Sequence, residues 1–242
     1  MLVKPMLEAA FPDRVPAHRE QFGFWTPDRT WMAFKHTFGP PFRLAFRIRA
    51  YGTEHVPPVG PVVLATNHMS AWDPILYGAV LDRPIRWMAK TEVFEASRAV
   101  EKLLSHGGVF TVRRGAGDIA AVRAARDVLR EGSLLGMFVE GTRQQTEEVG
   151  DVKPGTMMIA LAEGAAVVPA VVQGTHRLVR EPWHPVTFAF GEQLRFEGRP
   201  SVREATGRLD SELRRLQRFA QSTIAAGRPL RARPPVPEGA TW

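Results

Sequence analysis

The chain has 242 residues, 44% of them hydrophobic and 24% charged, which is long enough to bury a sizeable core and too apolar for a disordered segment. Lysine and arginine number 32 against 25 acidic residues, a formal charge of +7, which favours anionic partners such as phosphorylated substrates, acidic carrier proteins or anionic lipid. Cysteine is absent, which excludes a disulfide framework, a thiolate nucleophile and a cysteine-ligated zinc site; with no secretory signal or apolar run of spanning length, a cytoplasmic protein, at most peripheral on the inner face of the cell membrane, is expected.

Residues 1–50 read as an N-terminal arm. Its first thirty residues are broken by Pro5, Pro12, Pro16 and Pro27 and suit irregular structure or short helices. Trp31, Phe34, Phe38, Phe42 and Phe46 then recur at three- and four-residue steps, the spacing of one helical face. Lys35, Arg43, Arg47 and Arg49 are interspersed, and no acidic residue falls between positions 31 and 50. Pro40 and Pro41 predict a break into two helical pieces. A basic segment with an aromatic face suits a membrane interface; packing of the same rings against the main domain is the other reading.

From residue 51 to 227 strands and helices alternate. A short strand is predicted over 49–53, and a buried one over 61–65, where Val62, Val63 and Leu64 form an apolar run. After it comes the turn Thr66-Asn67-His68-Met69-Ser70-Ala71-Trp72-Asp73-Pro74. A helix over 75–81 follows, with Asp73 as its N-cap and Pro74 at its first position. Further strands are predicted over 84–90, 109–112, 134–139 and 165–173, with helices over 92–105, from Asp118 to Gly132, and over 154–162. A strand over 184–190, antiparallel or at an edge, precedes a long helix over 201–226. The Pro- and Arg-rich tail 228–242 reads as disordered. This alternation predicts a single α/β domain with a mainly parallel β-sheet flanked by helices.

Several strand ends carry polar chemistry at the edge where open α/β sheets bind ligands. His68 ends the strand over 61–65, and a turn of this length can fold Asp73 back onto one imidazole nitrogen. The carboxylate would then fix the tautomer, leaving the other nitrogen to take a proton from a hydroxyl. Alone, a His and an Asp five residues apart are a weak signal, and the pair is better read as a capping aspartate and an incidental loop histidine; the other blocks along the chain change that. Arg113 and Arg114 follow the strand over 109–112. Glu140, Gly141, Thr142 and Arg143 follow the strand over 134–139. Arginines suit bidentate anchoring of a phosphate, and Glu140 could accept from a substrate hydroxyl or lock one of the arginines. The remaining histidines show no metal-ligand spacing, so no metal is expected.

These blocks resemble those of the glycerolipid acyltransferase superfamily, whose best-known members are the 1-acyl-sn-glycerol-3-phosphate acyltransferases. His68 and Asp73 match its His-x4-Asp block. Gly108 to Arg114 is similar to its second block, with Arg114 at the characteristic arginine. Phe138 to Arg143 is similar to its Phe-Pro-Glu-Gly-Thr-Arg block, and Val167-Val168-Pro169-Ala170 to its last. Lys153-Pro154-Gly155 resembles the short basic-Gly turn that often precedes the helix before that last block. Four blocks in order make a specific signal, covering roughly residues 51–194. Two positions depart from the pattern: Val139 stands where Pro is usual, relaxing a backbone constraint, and Gln144 where Ser is common.

The resemblance implies a glycerol-3-phosphate acyltransferase-like fold and an O-acyltransferase of phospholipid biosynthesis. His68 and Asp73 would be catalytic, and Arg114, Glu140, Gly141, Thr142 and Arg143 would bind the acceptor. The acceptor would be a lysophospholipid, foremost 1-acyl-sn-glycerol-3-phosphate. The donor would be acyl-CoA or acyl-carrier protein, with no further cofactor. Competing readings are another lysolipid acceptor, a hydrolase using water, and a non-catalytic membrane-peripheral lipid-binding protein. Nucleic acid is not an expected partner, because no recognition motif accompanies the charge.

Overall fold

A computed structural model of the chain describes residues 28–90, 109–112, 118–144, 146–178, 180–181, 183–196 and 198–227. The arm before residue 28, the helix predicted over 92–105, Arg113, Arg114 and the tail after 227 lie outside the described residues. Among the described residues the helices are α1 (Asp28–Ala45), α2 (Asp73–Val80), α3 (Asp118–Arg130), α4 (Gly155–Glu163) and α5 (Val202–Ala225). The strands are β1 (Arg49–Tyr51), β2 (Val62–Thr66), β3 (Ile85–Lys90), β4 (Val109–Val112), β5 (Leu134–Phe138), β6 (Ala166–Gln173) and β7 (Thr187–Phe190).

The strands form one sheet in the order β1-β7-β6-β2-β5-β3-β4. β6, β2, β5, β3 and β4 run parallel, as expected where helices make the crossovers. Among its described residues the link from β6 to β7 carries one 3₁₀ turn, Thr175–Arg177, and β7 returns antiparallel to β6. β7 does not lie at the edge, because β1 pairs beyond it.

Alternate residues of each strand feed two apolar cores, as the pleat requires. On one face Val62, Leu64, Val168, Val172 and Phe188 pack with Leu76, Tyr77 and Val80 of α2 and with Trp31 of α1. On the other, Val63, Ala65, Val167 and Val171 pack with Val128 and Leu129 of α3, Met157 of α4, and Leu209, Leu213 and Leu216 of α5. β2 is buried along its whole length, which places its C-terminal end, and His68 just beyond it, between covered faces in mid-sheet.

Two local expectations are corrected. α1 runs unbroken through Pro40 and Pro41. Both prolines are exposed, as are His36 and Thr37, whose carbonyls lose their helical partners to solvent instead. Meanwhile Gly39 is buried against Ala79 of α2, so tertiary packing offsets a local penalty of about 3 kcal/mol. Asp73 is the first residue of α2 rather than its N-cap; Trp72 takes that position without a side-chain cap bond, and Pro74 lies in the first turn. The long final helix is capped by Ser201, whose hydroxyl accepts the Glu204 amide.

Candidate active site

The site is built where β2 stops before its neighbour β6. Thr66 is opposite Ala170, and β6 continues to Gln173. The side chain of Asn67 continues the ladder in place of backbone. Its Nδ2 donates to the Val172 carbonyl and its Oδ1 accepts the Val172 amide, each at 2.9 Å. The main chain is thereby free to turn away, and the next residue, His68, projects from the sheet edge. No local sequence pattern marks Asn67, because its partner is distant along the chain.

Asp73 reaches back to the imidazole: His68 Nδ1 stands 2.9 Å from Asp73 Oδ2. The same oxygen accepts the amides of Met69 and Ser70, each at 2.8 Å. The Asp73 side chain is wholly buried and that of His68 is 17% exposed. A carboxylate only accepts, so Nδ1 carries the hydrogen of the neutral ring and Nε2 carries the lone pair. The turn thus has the geometry of an oriented base.

Glu140 sits across from this turn, at the end of β5. Its Oε2 accepts the His68 amide at 2.8 Å and its Oε1 accepts the Gly150 amide at 2.9 Å. Its described partners are therefore backbone groups rather than an arginine. The side chain is buried, and burial pushes its carboxyl above the ordinary value, against the pull of those two amides and the imidazole. The Gln144 amide donates to the His68 carbonyl at 2.8 Å, so both backbone groups of His68 are bonded to the loop after β5.

The other predicted residues fall into two groups. Gly141, Thr142 and Arg143 lie exposed on that loop beside His68, and Gly141 takes φ +74°, a conformation that favours glycine. Arg114 lies outside the described residues. Val139, where Pro was the usual residue, donates its amide to the Thr66 carbonyl at 2.9 Å. Valine therefore adds a ladder bond that proline could not make, rather than loosening the strand end.

A family model described as Acyltransferase matches residues 47–173, just over half of the chain. The chain is 29% identical over 131 residues to a 1-acyl-sn-glycerol-3-phosphate acyltransferase of Borreliella burgdorferi, covering 54% of this chain and 52% of that protein. It is 29% identical over 155 residues to the enzyme of the same name from Bacillus subtilis, covering 59% and 76% respectively. The chain thus spans about half to three quarters of these relatives. In fold it is similar to the crystal structure of the 1-acyl-sn-glycerophosphate acyltransferase PlsC from Thermotoga maritima, with a TM-score of 0.62 over 79% of each chain at 21% identity. With the His-x4-Asp turn at the end of a central strand and the family match spanning that turn and the Glu140 loop, the chain belongs to the acyltransferase family.

Proposed function

We propose that this protein transfers a fatty acyl group from acyl-CoA or acyl-carrier protein to the free hydroxyl of a lysophospholipid, foremost 1-acyl-sn-glycerol-3-phosphate, giving phosphatidate. The observation that carries the reading is the contact between His68 Nδ1 and Asp73 Oδ2, which leaves the lone pair of the neutral ring on Nε2, the nitrogen that acts as the base. Nε2 takes the acceptor's hydroxyl proton as its oxygen attacks the thioester carbonyl. The tetrahedral intermediate collapses, the C–S bond breaks, and the thiolate leaves with the proton returned from the imidazolium. Asp73 stabilises the imidazolium meanwhile, and such general-base help is worth about 10²–10⁴-fold. No acyl-enzyme is required.

Arg143 and Arg114 are assigned to the acceptor's phosphate, with Gly141 and Thr142 shaping the loop and Glu140 holding it against the base. The charge of +7 suits an anionic donor and acceptor alike. Another lysolipid headgroup is the alternative acceptor, because Val139 and Gln144 both depart from the family's pattern at the loop assigned to the acceptor.

No helix among the described residues is long and apolar enough to cross a membrane. We assign membrane contact instead to α1, where Phe38 is 48% and Leu44 82% exposed beside exposed Arg43 and Arg47. Such a surface suits the inner, anionic face of a cell membrane.

The test is consumption of acyl-CoA and of acyl-carrier protein thioester by purified protein against a panel of lysolipids, with wild type, His68→Ala and Asp73→Asn in parallel. Turnover with lysophosphatidate that disappears in His68→Ala is expected. Turnover with another lysolipid alone would change the acceptor. Turnover without any acceptor would make water the nucleophile, and silence from every combination would favour the lipid-binding reading.

A further inference from the structure

The hydrogen bond to Asp73 fixes one nitrogen of His68 but not the plane of its ring. An imidazole held at Nδ1 alone can still roll about the Nδ1···Oδ2 direction, and rolling swings Nε2 away from the acceptor. The structure supplies a second constraint. The imidazole lies flat on the ring of Phe138, with centroids 3.7 Å apart and planes 16° from parallel. The far face of Phe138 lies flat on Trp87, at 4.6 Å and 14°. Three rings from three adjacent strand systems therefore form one pile. Thr66 pairs with Phe138 across β2 and β5, and Gly136 pairs with Trp87 across β5 and β3.

The outer ring is held firmly. Trp87 is 2% exposed, and Tyr77 packs on it at 5.5 Å between centroids. Its position depends on the absence of a side chain at residue 136: a Cβ built on Gly136 would stand 2.4 Å from Trp87 Cε3 and 2.6 Å from Cζ3, closer than any real contact. Glycine inside a strand weakens it, so Gly136 has a local cost that the ring above it explains.

We propose that Phe138, backed by Trp87 over Gly136, is a positioning residue that sets the plane of the His68 ring and so aims Nε2 at the acceptor hydroxyl. This rests on His68 being the general base. Asp73 fixes the tautomer and one axis; the ring pile fixes rotation about that axis. A stacked aromatic pair contributes enough that its loss should slow the chemical step on the order of threefold to tenfold. Acceptor and donor binding should be unaffected, since neither Phe138 nor Trp87 is assigned to substrate.

The experiment compares wild type, Phe138→Leu, Phe138→Tyr, Gly136→Ala and His68→Ala in the full chain, by steady-state kinetics and by NMR of ¹³C-labelled histidine. Expected is a lower kcat for Phe138→Leu with both KM values unchanged, and retention of most of the rate by Phe138→Tyr, which keeps the ring. In wild type the ring-current field of Phe138 should shift the carbon-bound protons of His68 upfield; Phe138→Leu should abolish that shift and Phe138→Tyr preserve it. Gly136→Ala, which touches neither His68 nor substrate, should reduce both the shift and kcat by displacing Trp87. If Phe138→Leu kept wild-type kcat and unmoved His68 resonances while His68→Ala was inactive, the positioning role would be wrong and the general base would stand. If His68→Ala retained turnover, the base assignment itself would fall, and the proposed catalytic consequence with it.

Discussion

Glu140 Oε2 and the backbone amide of His68 stand 2.8 Å apart, so the loop leaving β5 is bonded to the turn leaving β2 at the residue that carries the imidazole. The second oxygen of the same carboxylate holds Gly150, nearer the far end of that loop. One buried side chain thus ties together two stretches of backbone that meet only in the fold. Its carboxyl is raised by burial, and the two amides keep the anion satisfied in a site that would otherwise disfavour it.

Glu140→Gln tests this strut. An amide offers one acceptor oxygen and one donor nitrogen, so one of the two backbone N–H groups would face another donor. The unsatisfied group should cost ~1–3 kcal/mol, read as a lower Tm, together with a fall in kcat as His68 loses its backbone anchor. A carboxylate that acted only on substrate would instead raise the acceptor's KM and leave Tm unchanged.

The parts of this site legible in the sequence are those made locally. His68 and Asp73 lie five residues apart in one turn, so their pairing follows from turn length and chemistry. The strands were legible because the faces of β2 and β6 are both covered and their residues run apolar. What depended on distant partners was not legible. Asn67 completes a ladder with Val172, and no local pattern marks it. Glu140 could be read as facing substrate because its partners, two backbone amides, carry no sequence signature. The continuity of α1 through Pro40 and Pro41 follows from packing on α2, which local propensity cannot anticipate. Gly136 does carry a local signal: a glycine within a strand marks a close approach, here by Trp87.

Arg83 offers a stability test remote from the chemistry. It leads into β3 at the N-terminal edge of the parallel strands, opposite His68. Its guanidinium donates to the carbonyls of Pro57 at 2.8 Å and Gly132 at 2.7 Å, and also to that of Gly60. Burial lowers its pKa to about 10, still charged at neutral pH. Arg83→Ala would leave three carbonyls without this donor, for a loss of ~3 kcal/mol. Thermal unfolding should show a lower Tm, while turnover per folded molecule at low temperature stays at the wild-type value. A loss of turnover in fully folded protein would contradict the separation of the two edges.

The loop beyond Glu140 should respond to acid. Glu147 accepts from Arg177 and from His176, and the Arg177 hydrogen bond holds its carboxyl below the ordinary value of 4.5. A depressed carboxylate pKa contributes stability that is present above the unfolded value and lost as pH falls through the folded one. Amide hydrogen exchange of residues 146–149, corrected for intrinsic rates, should therefore be flat from neutral pH down to the ordinary glutamate range and accelerate below it; Gly150 is left out because its amide is held by Glu140, whose carboxyl is shifted the other way. Arg177→Gln should bring faster exchange to neutral pH and remove most of the acid response. The groups are partly exposed, so high salt should reproduce part of the effect.

The membrane assignment turns on α1, where packing and exposure divide one aromatic face. Trp31 is 5% exposed and belongs to the core, whereas Phe38 and Leu44 point outward. The rings of Phe38, Phe42, Phe46 and Trp72 follow one another at 6.2, 5.7 and 5.8 Å, a track that runs from the exposed helix to the turn bearing His68. A helix end that enters the headgroup region here would bring a lipid acceptor to the base without removing it from the membrane. Phe38→Glu with Leu44→Glu places two carboxylates at exposed positions of α1 and leaves the buried core residues unchanged, although Phe42 loses its contact with Phe38. Flotation with vesicles containing anionic lipid should fall by at least an order of magnitude, because apolar burial is lost and like charges now oppose the surface. Turnover of a short-chain, monomeric lysolipid should be retained while turnover of the vesicle-bound acceptor falls. Undiminished flotation, with the fold intact, would remove α1 from the membrane contact.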